Sequence, residues 1–280
     1  MWPRSGELSD DRRAAEGRPA EMTLSALVHA AALVLAGFTA GAINSIAGGG
    51  TNVSFPALLW LGLPPVVANA TSAVSLWPGS LAGAWGFRQA LASARRAWFA
   101  LLVPSVLGGA VGALLVVRLP QRVFAGVVPW LVLASTLLFA LNTWRRQRLG
   151  ERATAPPAMS HRSLAAALLV QLVIAVYGGY FGAGIGILML LSLGLTGVDR
   201  LDVANGLKNL FAAAINGAAI VYFIASGAVS WGTVPAMAVG AVAGGLLGAR
   251  IALRMAPLTL RWAIVAIGLL MTAATFAGLN

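Results

Sequence analysis

Gly41-Ala-Ile-Asn44-Ser45-Ile-Ala-Gly48-Gly49-Gly50-Thr51-Asn52-Val-Ser54-Phe-Pro56 is a break written into an apolar region. Three consecutive glycines sit among Asn44, Ser45, Thr51, Asn52 and Ser54. In a water-soluble domain these residues would make an ordinary surface loop. Here hydrophobic runs lie on both sides, so the backbone has little access to water. Irregular backbone at membrane depth is tolerated only where protein or a wet cavity satisfies its N–H and C=O groups. The stretch therefore predicts a cavity inside a membrane bundle, and such a cavity points to transport.

Composition supports that setting. The 280 residues are 59% hydrophobic and 10% charged, against about 25% charged in a soluble domain. Mean hydropathy is +0.85. This much apolar surface does not fit one soluble core, so the reading is an all-α, polytopic membrane helical bundle in the lipid bilayer. The apolar runs are continuous and do not alternate, which disfavours a β-barrel. Net charge is +11, from 19 Lys+Arg against 8 Asp+Glu. The cations stand at the ends of apolar runs, where topology places them, so no nucleic-acid partner is inferred. The excess also favours anions near pore mouths. There is no cysteine, hence no disulfide, thiolate metal site or cysteine nucleophile. Residues 1–23 are polar and carry no apolar signal-peptide core; their composition predicts a disordered cytoplasmic tail.

Working outward from the break, Leu24 to Ile46 is one apolar segment and Val53 to Leu63 a short one. Val66–Phe87, Trp98–Val117 and Val123–Trp144 follow. Residues 145–162, from Arg145 to Arg162, form the one clear polar linker and divide a first repeat, 24–144, from a second, 163–280. The second repeats the rhythm: Leu164–Phe181, a short Ile187–Leu195, then Leu201–Ala225, Trp231–Leu253 and Leu258–Phe276. At an offset of 136, Val67-Ala68-Asn69 falls on Val203-Ala204-Asn205, and Ala47-Gly48-x-Gly50 on Ala183-Gly184-x-Gly186. Gly108-Gly109-x-x-Gly112 falls on Gly244-Gly245-x-x-Gly248. Colinear matches over this length imply duplication. A crossing needs about 20 apolar residues, so the two short segments read as half-helices or re-entrant pieces. Paired, glycine-interrupted short segments are the best sequence pointer to a transporter binding site.

Lys/Arg counts place both the tail and the linker in the cytoplasm. That requires four full crossings in the first half, eight in all. Arg250, Arg254 and Arg261 then fall outside, against the rule. If each short piece crosses instead, each half has five spans and the halves are inverted.

Gly37-Phe-Thr-Ala-Gly41-Ala-Ile-Asn44-Ser-Ile-Ala-Gly48-Gly49-Gly50, followed by Pro56 and Asn69-Ala-Thr71-Ser72, resembles the TauE/SafE sulfite and sulfonate permeases. Its second-half counterpart is Gly178-Gly179-Tyr-Phe-Gly182-Ala-Gly184-Ile-Gly186 followed by Asn205-Gly206-x-Lys208-Asn209. The resemblance runs from about Leu24 to Phe276. It implies a secondary permease for small sulfur oxyanions in a bacterial inner membrane.

The residues themselves give candidate roles. Asn205, Lys208, Asn209 and Asn216 share one helical face, and a polar stripe on an apolar membrane helix should look into the bundle. Asn69, Ser72 and Ser80 hold the equivalent places in the first half, with Ser72 aligned on Lys208, the only lysine. The plainer alternative is that Lys208 snorkels to headgroups and the asparagines bridge helices. A short helix after Gly50 would offer N–H groups and its dipole to an anion, with Asn44, Gly48, Gly49, Thr51 and Asn52 beside it and Asn52 as a candidate cap. Gly182, Gly184 and Gly186 would let backbone approach in the second half. The alternative for both breaks is a tight turn that serves packing.

The binding set is thus Asn44, Gly48 to Asn52, Asn69, Ser72, Gly182, Gly184, Gly186, Asn205, Lys208 and Asn209. No nucleotide-binding motif is present. Coupling to H+ or Na+ and a homodimer both fit the sequence. The function expected is alternating-access transport of a sulfite, sulfonate or thiosulfate type anion, with a passive anion channel as the alternative. An enzyme would need a clustered acid, base or metal set, which His29, His161, Asp199 and Asp202 do not form. No cofactor or metal is expected.

Overall fold

The computed structural model describes residues 7–118, 120–149, 161–198, 200–254, 262, 265–266, 269–270, 272–273 and 276, with side chains from Leu27 onward. Among them every regular element is helical. α1 (Glu7–Ile46) is followed by α2 (Thr51–Trp60), α3 (Pro65–Gly86) and the short α4 (Arg88–Ala92). A 3₁₀ turn, Arg96–Leu101, runs into α5 (Leu102–Arg118), and α6 is Gln121–Leu149. α7 (His161–Tyr180), α8 (Ile185–Leu195), α9 (Leu201–Ala225) and α10 (Val234–Ala252) complete the bundle. α1 begins at Glu7, inside the segment expected to be disordered; its Ala, Glu and Arg residues are good helix formers. Residues 1–6, and 150–160 of the linker, lie outside the described set.

Apolar side chains cover the outside as well as the core, and polar ones are buried among the apolar interior. Leu35, Val103, Leu169 and Val239 are exposed, whereas Ser54, Thr71, Ser75, Ser105 and Asn209 are wholly buried. Among the described residues, four helices are long and apolar enough to cross a bilayer: Leu27–Ile46, Arg96–Arg118, Leu201–Ala225 and Val234–Ala252. This is a polytopic membrane bundle. The buried polar groups have to meet one another, because lipid offers them no hydrogen bonds.

Packing joins the halves crosswise. α1 lies against α10, and α5 against α7. These pairs correspond at the 136-residue offset, as do α3–α10 and α9–α5. Glycine sets the approach: Gly244 and Gly248 bring α10 onto the backbone of α1, and Gly108 and Gly112 bring α5 onto α7.

The same contacts give the helix directions. Gly37 meets Met237 and Ala42 meets Gly248, so α1 and α10 are parallel. Gly79 meets Ala241 and Gly86 meets Ala249, so α3 is parallel to α10. Asn44 Nδ2 donates to Ser80 Oγ at 3.1 Å, and Ala40 packs beside Leu76, so α1 and α3 also run the same way. α9 opposes them: Trp77 Nε1 donates to Ala213 O at 2.9 Å, while Gly83 meets Asn209 and Gly206 meets Phe87. Gln171 Nε2 donates to Ser105 Oγ at 2.8 Å and Gly112 meets Tyr180, so α7 runs with α5. Two contacts mark the ends of the bundle. Arg200 Nη1 donates to Ser93 Oγ at 3.3 Å at one end, and Ser230 N donates to Thr71 Oγ1 at 2.9 Å at the other.

This corrects the expected topology. Counting α1 as a full crossing puts the tail and the linker on one side. Because α1 and α3 are parallel, α2 instead leads the chain back toward the Ser230 end. α7 runs opposite to α1, so the tail enters at the Ser230 end and the linker at the Ser93 end.

Candidate functional site

α1 and α7 come from opposite ends; α1 stops beside Gly83 and Lys208 and α7 beside Asn69 and Gly112, and the chain turns there into α2 and α8. The turns need glycine: Gly48, Gly182 and Gly184 have φ of 79°, 77° and 71°, a region costly for residues with a Cβ. The two turns touch. Gly186 N donates to Gly48 O at 3.2 Å, and a Cβ on either glycine would run into the backbone of the other. The first-turn amides of Asn52, Val53 and Ser54 bond to Gly49 O and Gly50 O. The N–H groups expected to stand ready for a ligand are thus engaged within the protein in this conformation. Gly50, not Asn52, is the N-cap of α2.

The segments that carry the two breaks, 33–80 and 164–198, contain no Asp or Glu in sequence. The last carbonyls of a helix lack intrahelical partners and carry its negative pole. α9 supplies the donors for α1. Lys208, only 1% exposed, reaches Asn44 O at 3.0 Å and Ser45 O at 2.8 Å. Asn209 Nδ2 donates to Ser45 O at 3.3 Å. α3 does the same for α7: Asn69 Nδ2 donates to Tyr180 O at 3.0 Å. The ammonium is therefore bound to broken backbone rather than snorkelling to headgroups, and it does not line the cavity described next.

That cavity lies between α3, α7, α9 and the α2 start. Its wall includes Asn44, Thr51, Asn69, Ser72 and Gly182 of the expected set, together with Asn216. Ser72 Oγ lies 2.6 Å from Ser54 Oγ. The space open to water-sized centres is about 20 Å³, room for one or two waters. Gly48, Gly49, Gly50, Asn52, Gly184, Gly186, Asn205, Lys208 and Asn209 do not border it. The glycines shape the turns, and Lys208 and Asn209 hold the end of α1. Asn52 is 3% exposed with neither side-chain polar atom bonded; Asn205 and Asn209 each keep an unbonded Oδ1.

Phe181, Phe223, Gly178 and Gly179 also form the wall and were not singled out as binding residues. The available signal was faint: Phe223 matches Phe87 at the repeat offset, and Gly178-Gly179 opens the second glycine motif.

The family described as "Sulfite exporter TauE/SafE" matches residues 33–275. A "Probable membrane transporter protein" of Haemophilus influenzae is 31% identical over 249 residues, covering 87% of this chain and 92% of its own. "Probable membrane transporter protein ORF9" of a Sinorhizobium species is 31% identical over 229 residues, with 79% and 82% covered. "Probable membrane transporter protein YfcA" of Escherichia coli K12 is 29% identical over 234 residues, with 84% of each chain covered. No solved structure matches the chain significantly.

Proposed function

We propose that this chain, which belongs to the sulfite exporter TauE/SafE family of membrane transporters, carries a small sulfur-containing oxyanion across a bacterial inner membrane by alternating access. The observation that carries the choice of an anion is Lys208 at the broken end of α1. The C-terminal pole of α1, roughly half an elementary charge, offsets only part of that ammonium. An anion leaving water loses solvation worth several kcal/mol unless donors replace it. Asn44, Asn69, Ser72, Thr51 and Asn216 are hydroxyl and amide groups able to do so.

The opposed directions of α3 and α9, with crosswise packing at one sequence offset, support two inverted repeats whose α1–α2 and α7–α8 pairs are re-entrant. A water-sized cavity suits a gated carrier better than an open pore. Separation of the Gly48 and Gly186 turns would enlarge it and free the Gly186 amide for the solute. Coupling to H+ or Na+ is compatible with this arrangement.

The test is a thermal-shift and flux screen of purified protein against sulfite, thiosulfate, sulfoacetate, taurine and chloride. Stabilisation by one or more of the sulfur oxyanions, with matching flux, is the expected result. A response confined to a cationic or neutral solute would overturn the proposal.

A further inference from the structure

The helix directions resolve a charge pattern that the sequence left contradictory. Ten of the described arginines adjoin helix ends on the Ser93 side of the bundle. They belong to the α3–α5 connection, the end of α6, the start of α7, Arg200, Arg250 and Arg254. The other described ones are three in the tail together with Arg118 and Arg122. α6 does connect the two ends. Its Ala140 packs with Ile43, Ile46 and Val265 near the end of α1. Nearer its start, the Trp130 ring meets that of Phe276 at 5.0 Å. Val265 and Phe276 thus lie in that order along α6, from its later part toward its start.

Tryptophan marks the same polarity. Arg88 lies over Trp85 at 5.2 Å, Arg95 over Trp98 at 5.9 Å and Arg148 over Trp144 at 4.6 Å. All three pairs stand at the Ser93 end. Among the described residues, Trp60 and Trp231, exposed at the Ser230 end, have no such arginine. Of the paired rings, Trp85 and Trp144 are exposed and Trp98 is buried; exposed indole rings sit at headgroup depth, and arginines stacked on them reach the phosphates with their remaining N–H groups. Lys and Arg in short loops accumulate on the cytoplasmic side, where the leaflet is anionic.

We infer that the Ser93 end is the cytoplasmic face, seated in anionic headgroups, and that the segment ahead of α1 and the α9–α10 loop face the opposite side. This reverses the expectation of a cytoplasmic tail. It also removes the misfit at Arg250 and Arg254, which fall inside once the halves are opposed. The inference does not depend on which solute is carried.

The chain has no cysteine, so single replacements report cleanly. Gln89→Cys in α4 and Ser226→Cys in the α9–α10 loop replace exposed residues at the two ends. A membrane-impermeant maleimide is applied to spheroplasts before and after lysis. Ser226→Cys is expected to label in intact spheroplasts at least ten-fold faster than Gln89→Cys, with the two equal after lysis. Faster labelling of Gln89→Cys in intact spheroplasts would invert the assignment. Equal labelling of both, or protection of both, would place the two loops on one side and overturn it. Ala92→Cys and Ala225→Cys, both at exposed positions, serve where a first choice fails to accumulate.

Discussion

Replacing Lys208 with Gln removes the charge while keeping an amide that can still donate to a carbonyl. Lys208 Nζ is bound to Asn44 O, and Asn44 itself borders the cavity. At a separation of roughly 8 Å and an effective dielectric constant of about 20, one unit charge acts on a bound anion with about 2 kcal/mol. That corresponds to roughly 30-fold in Kd. Lys208→Gln should therefore weaken thiosulfate or sulfite binding by about that factor at low salt, with thermal stability little changed. Lys208→Met loses the charge and also strands Asn44 O, while Ser45 O keeps the Asn209 amide; a buried carbonyl left unbonded costs about 1–3 kcal/mol, so this variant should also melt earlier. Isothermal titration of detergent-purified protein and a thermal melt read the two effects separately. If Lys208→Gln folds and binds the anion with unchanged affinity, the buried charge does not select the solute, and the electrostatic reasoning fails.

Three further outcomes follow from the geometry. Gly186→Val places a branched side chain against the backbone of Gly48 and should abolish flux while the protein still reaches the membrane, as read by immunoblot and uptake; unchanged uptake would mean that the two turns need not touch. Asn69→Leu removes the donor to Tyr180 O and a polar part of the cavity wall, and should cut flux at least ten-fold (roughly the 1–3 kcal/mol cost of one stranded carbonyl); normal flux would count against this wall as the binding surface. Trp77→Phe deletes a hydrogen bond between the halves and should lower stability by about 1 kcal/mol with flux within two- to three-fold of the parent, so a selective loss of transport at unchanged stability would give the indole a role beyond packing.

The breaks were legible in sequence because glycine is the residue a positive-φ turn inside an apolar run requires, and Gly48, Gly182 and Gly184 sit in such turns. The inward face of α9 was legible from the spacing of Asn205, Lys208 and Asn209, all three buried. Lys208's partner was not. A cation that holds a helix end and a cation that binds a solute look alike in sequence, and only the position of Asn44 O and Ser45 O decides between them. Nor could composition pair α1 with α10 and α5 with α7. The glycines that permit those contacts fit many neighbours equally well. The expected topology failed for a related reason. Residues 27–46 are long enough to cross a bilayer, yet the direction of α3 shows that the chain turns back after them. Phe181 and Phe223 were passed over because an aromatic in a cavity wall and one in a lipid-facing belt carry the same hydropathy.

Counterflow in proteoliposomes probes the central claim, an anion carried between two meeting helix breaks, more directly than any substitution. Vesicles loaded with unlabelled thiosulfate and diluted into labelled thiosulfate should take up label transiently, saturably and faster than unloaded vesicles. Uptake that is linear in concentration and indifferent to the internal anion would contradict a carrier and return the chain to a passive pore.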